Sequence, residues 1–527
     1  MRADPRSALP GAVRAARAGW EARWREQGLH RGITLAALLA EGAARHPQTP
    51  ITFFSRTRPA VYTLRELHEE GERTASALHA LGLAAGDAFA VQLPNWPETA
   101  IAYYAAARLG LLLVPIVSIY GPAEVGQILC RSEAKAFVCA AEFRRWRAAD
   151  DLPRLGEHGA RVIVVGGEDA PPRDVAGGDV SWDDLAGQSA PPAPPTDSAA
   201  PAVLLYTSGT TAEPKGVIHS HDTLIAELVN SPTPPDTPGT ISLQPFPAGH
   251  TAGLVALLGP AVHGHPTIVM DVWDAHDAAK LVEAHRVTAM AGTPIFLSSI
   301  LDAGGDLSSL KHATTGGAGV PPALVERADR IGWRVCRCYG ATEGPSVTAT
   351  LQDDPLQLRA YTDGRPIGGS QIKIVDGEVA VLSPESFVAY DDPKANAEAF
   401  TDDGWFLTGD IGVIDANGCL TITDRKKDII IRGGENISSK EVEDVLARHP
   451  AVVEAAVVAA PDDVYGERVA AFVVASAPLT LDDVRAHFEH AGVARQKTPE
   501  RLELVDDLPR TPAGKVRKPE LRALLRT

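Results

Sequence analysis

Helical and strand patterns alternate through the first two thirds of this chain of 527 residues. The stretch YTLRELHEEGERTASALHALG carries apolar residues at helical spacing, whereas AFAVQL and LLLVPIV are short apolar runs typical of buried strands. Further short β-branched runs, RVIVVGG, AVLLYTS, TIVM and VTAMAG, are separated by helical segments. This alternation favours parallel sheets covered by helices. We therefore predict an α/β fold with a large N-terminal domain of mostly parallel sheets.

The pattern changes twice towards the carboxyl end. From about residue 360, short strands with Gly and Asp turns predict a small antiparallel, β-barrel-like unit. Later, the strand DIIIR is followed by a Gly-Gly turn and by Ser438 and Glu441 at capping-box spacing. Strands AAVVAA and VAAFVVAS and the helix LTLDDVRAHFEHAG complete a compact α+β unit of roughly a hundred residues. We predict two domains, residues 1–426 and 427–527.

Composition excludes several classes of protein. The formal net charge of −17 argues against nonspecific binding to nucleic acid or anionic membrane. Five cysteines without zinc-type spacing indicate a reducing compartment. The most apolar stretch, AIAYYAAARLGLLLVPIVSIY, is interrupted by Arg108 and Pro115, which predicts a helix followed by a buried strand. We expect a cytoplasmic protein with no nucleic-acid partner and no integral membrane span.

Residues 204–221, LLYTSGTTAEPKGVIHSH, place a hydroxyl- and glycine-rich loop after an apolar run. Glycine lets backbone N–H groups approach an anion, hydroxyl groups donate hydrogen bonds, and lysine adds a positive charge. Because Pro214 and Gly216 flank the lysine, the loop is not a Walker A motif. The candidate phosphate ligands are Thr207, Ser208, Gly209, Thr210, Thr211 and Lys215. From these residues alone, an ordinary surface loop is the alternative.

Four more segments follow in order: FPAGHTAGL (246–254), RCYGATEGP (337–345), GWFLTGD (404–410) and PRTPAGKVRK (509–518). Together with the hydroxyl-rich loop and TDRKKDIIIRGGENIS (423–438), they resemble the motifs of the adenylate-forming family. That family includes acyl-CoA synthetases, firefly luciferase and nonribosomal-peptide adenylation domains. The resemblance covers nearly the whole chain and implies a large N-terminal domain joined to a small mobile C-terminal domain. It also implies that a carboxylate attacks the α-phosphate of ATP, which gives an acyl-adenylate and pyrophosphate, before a thiol takes the acyl group.

The resemblance assigns roles around the nucleotide. The implied AMP-binding residues beyond the loop are Gly317, Ala318, Tyr339, Gly340, Asp410 and Arg425. Tyr339 offers a flat face to adenine, and Asp410 accepts hydrogen bonds from the ribose diol with Arg425 as its assistant. Thr342 contacts phosphate and has a catalytic role. Glu343 binds Mg²⁺, the implied cofactor, which neutralises charge on the phosphoryl oxygens.

The same resemblance makes Lys515 the catalytic lysine of the small domain. A cation there neutralises charge that develops between the carboxylate and the α-phosphate. A solvated lysine in a basic tail is the alternative, because Arg510, Arg517 and Lys518 surround it.

For the second half-reaction, the resemblance makes Lys427 the hinge of the small domain. Gly433, Gly434 and Glu435 would then face the CoA thiol along a tunnel, although a tight turn also explains the two glycines. His250 resembles the family's gate, with a catalytic role, between the thiol tunnel and the acyl pocket. The implied acyl-pocket residues are His250, Gly316, Gly340 and Ala341. A structural histidine is the alternative for His250.

Two features depart from the family pattern. Ala212 replaces the usual glycine of the phosphate loop, and Glu213 adds a negative charge beside it. The segment GEVAVLSPESFVAY lacks the common Arg-Gly-Pro and Gly-Tyr pieces.

Our leading hypothesis is an acid:CoA ligase that uses ATP, a carboxylic acid and CoA. FPAGHTAGL lacks an aspartate to pair with an α-ammonium group, which disfavours amino-acid activation. The stretch VPIVSIYGPAEVGQIL is similar to ligases for medium-chain or alicyclic acids, and another bulky hydrophobic acid also fits. No carrier-protein domain follows Lys515, so we expect free CoA as the thiol, with a separate carrier protein as the runner-up. A nucleotide-binding regulator without catalysis is the alternative of another class, and a homodimer is left open.

Overall fold

The structure is a computed structural model that describes residues 4–166, 180–185, 190–207, 215–230, 239–433, 435–462, 464–491, 493–511 and 514–525. The chain divides into two compact units. The first contains Met1–Gln371 and Leu382–Phe406, and the second contains Ile372–Val381 and Leu407–Thr527.

The α-helices, in chain order, are α1 (Gly11–Glu26), α2 (Leu35–Arg45), α3 (Leu64–Ala80), α4 (Pro97–Leu109), α5 (Pro122–Ser132), α6 (Ala148–Asp151), α7 (His221–Asn230), α8 (Thr251–Leu258), α9 (Pro260–His263), α10 (Ala275–His285), α11 (Pro294–Ala303), α12 (Pro322–Arg330), α13 (Leu356–Tyr361), α14 (Pro393–Ala399), α15 (Ser439–Leu446), α16 (Leu481–His490) and α17 (Lys518–Leu524). None of the helices described has both the length and the apolar character needed to cross a membrane.

The strands are β1 (Pro50–Phe54), β2 (Ala60–Thr63), β3 (Ala88–Gln92), β4 (Leu112–Pro115), β5 (Ala136–Ala140), β6 (Glu142–Phe143), β7 (Trp146–Arg147), β8 (Arg161–Val165), β9 (Val180–Ser181), β10 (Pro201–Thr207), β11 (Lys215–Ser220), β12 (Ser242–Gln244), β13 (Thr267–Met270), β14 (Ala289–Gly292), β15 (His312–Gly316), β16 (Arg334–Ala341), β17 (Gly344–Ala349), β18 (Arg365–Pro366), β19 (Gln371–Val375), β20 (Glu378–Leu382), β21 (Ala389–Tyr390), β22 (Phe406–Ile414), β23 (Leu420–Arg425), β24 (Ile430–Arg432), β25 (Glu435–Ile437), β26 (Val452–Asp462), β27 (Gly466–Ala475) and β28 (Arg501–Leu504).

A nine-stranded sheet in the first unit has the order β18-β17-β16-β15-β14-β12-β13-β1-β2. The six inner strands from β16 to β1 pair in parallel, and the remaining strands at both ends pair antiparallel. The carboxyl ends of β16, β15, β14, β12 and β13 therefore lie in one row along one edge. Ligands bind preferentially at this edge of a parallel sheet.

An eight-stranded sheet in the first unit has the order β21-β11-β10-β4-β3-β5-β8-β9. Every residue of β3, β4 and β5 is buried, as expected for parallel strands covered on both faces. The apolar stretch at residues 100–120 forms α4, which ends at Gly110 with a φ of 68°, and then β4. The predicted helix and buried strand are confirmed there.

The second unit contains a four-stranded sheet, β19-β20-β22-β23, and a five-stranded sheet built on β25-β24-β27-β26 with β28 beside β27. Helix α15 starts as predicted, because the Ser438 hydroxyl accepts a hydrogen bond from the Glu441 N–H at 3.1 Å. The other half of the predicted capping box is replaced: the Glu441 carboxylate accepts from Lys497 Nζ at 2.7 Å.

The predicted fold class is confirmed. Helix-covered, largely parallel sheets are followed by a smaller four-stranded sheet and by an α+β region built on the five-stranded sheet. The domain boundary at residue 427 stays a prediction.

Candidate active site

The strands on either side of the hydroxyl-rich loop, β10 and β11, pair antiparallel, with Thr207 directly opposite Lys215. Thr207 Oγ1 lies 3.5 Å from the Lys215 carbonyl oxygen, so the two ends of the predicted phosphate loop meet. Residues 208–214 lie outside the described residues, and with them the predicted ligands Ser208, Gly209, Thr210 and Thr211 and the departures Ala212 and Glu213.

Strand β21 packs beside the hairpin and fixes the base of the loop. Lys215 Nζ lies 5.1 Å from the centre of the Tyr390 ring. The Gly216 N–H donates to Asp391 Oδ1 at 2.9 Å, and Arg131 lies 3.3 Å from the same carboxylate. A Cβ at Gly216 would lie 2.6 Å from the Asp391 side chain, which explains a glycine after the lysine.

Strands β16 and β17 form a hairpin whose turn presents Thr342 and Glu343. Glu343 Oε1 accepts a hydrogen bond from the Tyr390 hydroxyl at 2.7 Å. Burial and the neighbouring Glu343 carboxylate raise the pKa of Tyr390, which keeps the phenol protonated. Tyr390 therefore touches two predicted site residues, Lys215 by its ring and Glu343 by its hydroxyl.

The backbone of this turn is also held. The Thr342 carbonyl accepts a hydrogen bond from His219 Nε2 at 2.7 Å, and the Glu343 carbonyl accepts from the Phe387 N–H at 2.7 Å. Burial lowers the pKa of His219 to about 4, so its ring is neutral near pH 7. A Cβ at Gly340 would lie 1.9 Å from the Pro345 carbonyl oxygen, so only glycine fits that close approach.

The predicted adenine residues lie at the ends of two neighbouring parallel strands. Gly316, the last residue of β15, pairs with Cys338 of β16, the residue before Tyr339. Gly317 follows at a φ of 76°. Gly316, Gly317 and Ala318 are therefore brought together beside Tyr339, Gly340 and Ala341 at the sheet edge.

His250 precedes α8, and the segment before it is held by its backbone. The Asn95 side chain donates to the Phe246 carbonyl at 2.8 Å and accepts from the Ala248 N–H at 2.8 Å. The Tyr103 hydroxyl donates to the Ala248 carbonyl at 2.9 Å. These contacts fix where the backbone of His250 lies, while its role as a gate stays a prediction.

Three aromatic side chains continue the row of strand ends. Phe246 follows β12, Trp273 follows β13, and Phe296 lies in α11 directly after β14. The Phe296 ring centre lies 6.2 Å from that of Phe246 and 4.9 Å from that of Trp273. All three side chains are only partly buried. We call them the aromatic cluster.

In the second unit, the structure brings Asp410 and Arg425 together. They are opposite each other on β22 and β23, and Arg425 Nε donates to Asp410 Oδ1 at 2.7 Å. Asp410 is buried, and its N–H donates to the Thr408 hydroxyl at 3.1 Å. The ion pair orients the Asp410 carboxylate from one side.

Of the predicted CoA residues, Gly433 directly follows β24 and Glu435 begins β25, the strand that pairs with β24. Gly433 has a φ of 58°, and its N–H donates to the Tyr465 carbonyl at 2.8 Å, which is what a tight turn requires. Glu435 is exposed and accepts from Gln496 Nε2 at 2.8 Å, while Gly434 lies outside the described residues. Lys427 lies in a short 3₁₀ turn directly after β23.

Lys515 is exposed at the end of a short loop that closes on itself. The Thr511 N–H donates to the Lys515 carbonyl at 2.7 Å, and the Lys515 N–H donates to the Thr511 hydroxyl at 3.1 Å. Each cation that surrounds it pairs with a carboxylate: Arg510 with Glu454, Arg517 with Glu520 and Lys518 with Glu443. The cations around Lys515 are thus paired with carboxylates of the second unit. This pairing argues against the alternative that the segment is a solvated basic tail.

Tyr390 is the residue that the sequence reasoning missed. It ends the segment GEVAVLSPESFVAY, whose notable feature in the sequence is the family motifs that it lacks. The available signal was an aromatic hydroxyl at the end of a buried apolar run and directly before two aspartates.

Comparison with known proteins agrees with the order of these motifs. The family model described as AMP-binding enzyme matches residues 39–385, and the model described as AMP-binding enzyme C-terminal domain matches residues 441–515. The chain belongs to the AMP-binding enzyme family. The resemblance stated from the motifs is thereby confirmed.

Two relatives and one solved structure show the breadth of the match. A medium-chain fatty-acid–CoA ligase of Escherichia coli (strain K12) is 33% identical, over 95% of this chain and 92% of the relative. A 3-[(3aS,4S,7aS)-7a-methyl-1,5-dioxo-octahydro-1H-inden-4-yl]propanoyl:CoA ligase of Mycobacterium tuberculosis is 36% identical, over 88% of this chain and 94% of the relative. The O-succinylbenzoate coenzyme A synthetase of Bacillus subtilis, solved with ATP and magnesium ion, is 27% identical with a TM-score of 0.78, over 93% of this chain and 99% of that one.

The chain is an AMP-forming acyl-CoA synthetase. It activates a carboxylic acid with ATP and transfers the acyl group to CoA, as the leading hypothesis predicted.

Proposed function

We propose that this synthetase activates a medium-chain, alicyclic or other bulky hydrophobic carboxylic acid. The observation that carries the proposal is the aromatic cluster at the carboxyl ends of β12, β13 and β14. It adjoins the strand ends with the predicted adenine residues, and partly buried rings offer apolar surface to an acyl group. The names of the Escherichia coli and Mycobacterium tuberculosis relatives, a medium-chain and a bicyclic acid ligase, support the same class.

In the proposed adenylation step, the β10–β11 hairpin holds the triphosphate. Lys215 supplies positive charge near the departing phosphates. Its position is supported by the cation–π contact between its ammonium group and the Tyr390 ring. The Thr342 hydroxyl donates to a phosphate oxygen from the neighbouring turn. Hydrogen bonds from His219 and Phe387 to the backbone of this turn support a fixed geometry.

Glu343 is the proposed Mg²⁺ ligand, and its surroundings fit that ion. A carboxylate oxygen is a hard ligand, and the neutral Tyr390 hydroxyl orients the group without cancelling its charge. Among the described residues, no group of three or more His, Cys, Asp or Glu side chains could hold a metal ion. Glu343 would thus act together with phosphate oxygens and water. When bound, Mg²⁺ neutralises charge on the phosphate oxygens.

The second unit contributes the remaining proposed roles. Asp410 accepts hydrogen bonds from the ribose diol while Arg425 holds its carboxylate, and Lys515 neutralises charge between the acid and the α-phosphate. Lys427 is the hinge at the boundary between residues 1–426 and 427–527. After the small domain rotates about this hinge, the loop at Gly433 borders the thiol tunnel, and His250 is the gate of that tunnel.

The test is a pyrophosphate-release screen over straight-chain, alicyclic, aromatic and charged acids, with and without CoA. We expect medium-chain or alicyclic acids to give the highest kcat/KM and an acyl-CoA product detectable by mass spectrometry. A preference for short charged acids would overturn the proposed substrate class. Comparison of CoA with a phosphopantetheinyl carrier protein as acceptor tests the runner-up, carrier loading.

Cytoplasmic location and assembly as a homodimer belong to the proposal as well. Cell fractionation tests the first, and light scattering on the purified enzyme tests the second.

A further inference from the structure

Two buried carboxyl groups lie side by side behind the turn that carries Thr342 and Glu343. Glu227 belongs to α7 and Glu385 to the segment between β20 and β21, and their exposed fractions are 4% and 2%. Both contact Ser346 of β17: its hydroxyl donates to Glu227 Oε1 at 2.8 Å, and its N–H donates to Glu385 Oε1 at 3.0 Å. One serine therefore joins two carboxyl groups that are 158 residues apart in the sequence.

The two carboxyl groups are also hydrogen-bonded to each other. Such a bond needs a proton, because two ionised carboxylates can only accept. Burial raises the pKa of both groups, and the negative charge of Glu227 helps to raise that of Glu385 well above its ordinary value. Glu227 Oε2 accepts from no N–H or hydroxyl group of the described residues, which leaves a proton on Glu385 as its donor.

The pair is connected to the adenylation turn at two points. Ser346 lies on β17, three residues after Glu343. Phe387, two residues after Glu385, donates its N–H to the Glu343 carbonyl at 2.7 Å. The Phe387 carbonyl in turn accepts from the buried Arg17 guanidinium at 2.6 Å. A shift of the Glu385 segment would therefore move both ends of the stretch 343–346.

Among the described residues, the thiol of Cys338 on β16 also faces the pair. His30 and Arg17, both buried, bond to the backbone on either side of Glu385, at the Pro384 and Phe387 carbonyls. Burial and the two carboxyl groups raise the pKa of Cys338 to about 12, so the thiol is neutral. It cannot compensate a second negative charge on the pair.

We propose that Glu227 and Glu385 are positioning residues for adenylation, and that the single proton they share holds the turn between β16 and β17, with Thr342 and Glu343, in its ATP-binding shape. This inference rests on the proposed function of that turn. With the proton in place, the pair carries one negative charge and binds Ser346 twice. When the proton leaves at alkaline pH, two adjacent buried charges repel each other and the turn loses its support.

The experiment measures ATP binding by calorimetry and pyrophosphate release between pH 6 and 10 for the wild type, Glu385→Gln, Glu385→Ala and Glu227→Gln. An amide at 385 keeps a donor to Glu227 but cannot ionise. We expect the wild-type KM for ATP to rise at least tenfold towards pH 10, and the Glu385→Gln profile to stay flat. Glu385→Ala is expected to raise KM at every pH more than it lowers kcat.

Glu98→Gln is the matched control, because Glu98 is also buried but bonds to Arg58 at 2.9 Å, away from this turn. It should retain the wild-type alkaline rise. Thermal unfolding across the same pH range separates folding from positioning. Because the pKa values of the pair are higher in the folded than in the unfolded chain, wild-type stability declines as pH rises from the unfolded to the folded pKa values. Glu385→Gln should reduce that decline, since only Glu227 then titrates.

An alkaline rise in the KM of Glu385→Gln equal to that of the wild type overturns the inference, as does unchanged ATP binding in Glu385→Ala. A wild-type enzyme that binds no ATP at any pH would instead overturn the proposed function. The two failures are thus distinguishable.

Discussion

Two carboxylates of the candidate site have opposite kinds of partner. Glu343, in the first unit, accepts a hydrogen bond from the neutral Tyr390 hydroxyl at 2.7 Å, whereas Asp410, in the second unit, accepts from the Arg425 guanidinium at 2.7 Å. The first keeps its full negative charge and is suited to a cation. The second belongs to a neutral pair and is suited to accept hydrogen bonds from a diol. In the proposed function, carboxylates thus serve two kinds of recognition that differ in the charge of the neighbouring group.

The largest expected effect is that of removing the positive charge of Lys515, which lies in the second unit. Lys515→Ala should lower the rate of adenylation by about 100- to 1000-fold, because a cation is lost where charge develops in the transition state. Transfer from presynthesised acyl-adenylate to CoA should be retained. Arg517→Ala is the control, since that partly exposed cation pairs with Glu520. Equal loss of both half-reactions would contradict the role of Lys515 in adenylation alone.

The two carboxylates themselves can be compared with matched amides. Glu343→Gln should reduce pyrophosphate release by about 100-fold and shift the Mg²⁺ dependence to higher concentration, because a charged ligand is lost. Asp410→Asn should raise the KM for ATP by about tenfold, the cost of a weakened charged hydrogen bond, with an unchanged Mg²⁺ dependence. Titration of both variants with MgCl₂ checks this. The same Mg²⁺ shift in both variants would break the comparison.

A third prediction asks whether the two units act in turn. Lys427→Pro should slow thioester formation by about tenfold while adenylation stays close to the wild type, because proline restricts the backbone at the proposed hinge. Single-turnover assays of each half-reaction provide the measurement, with Lys426→Pro as the neighbouring control. An unchanged transfer rate would remove Lys427 from this role.

The smallest effect is expected for Tyr390→Phe. The ring remains beside Lys215 but the hydrogen bond to Glu343 is lost, and water can replace it, so we expect about a threefold rise in the KM for ATP. Tyr390→Leu removes the ring as well and should raise KM further. If Tyr390→Phe equalled Glu343→Gln, the hydroxyl would do more than orient the carboxylate.

Much of this arrangement was predictable because it depends on local patterns. The alternation of apolar runs predicts the parallel sheets, and a short connection places Asp410 and Arg425 on adjacent antiparallel strands. The carboxyl ends of parallel strands meet at one edge, so motifs at those ends assemble there, as Gly316 at the end of β15 and Tyr339 near the end of β16 do.

Contacts between distant segments were not predictable in this way. Tyr390 reaches Glu343, and Glu385 reaches Ser346, because β21 and the preceding segment lie against strands from elsewhere in the chain. Neither contact leaves a periodic signal. The missing half of the capping box has a related cause: Lys497, 56 residues away, competes successfully for the Glu441 carboxylate.

Asn95 has a practical consequence for changing the substrate range of this enzyme. Its buried side chain hydrogen-bonds to the backbone of residues 246 and 248 and to the Met270 carbonyl at 2.9 Å. It therefore holds the backbone of residues 246–248 in place without contacting their side chains through hydrogen bonds. Replacement of Phe246 or Trp273 by smaller or larger groups should therefore reshape the proposed acid-binding space without displacing the backbone. Phe246 and Trp273 are therefore suitable positions for engineering, because substitutions there should leave the backbone in place.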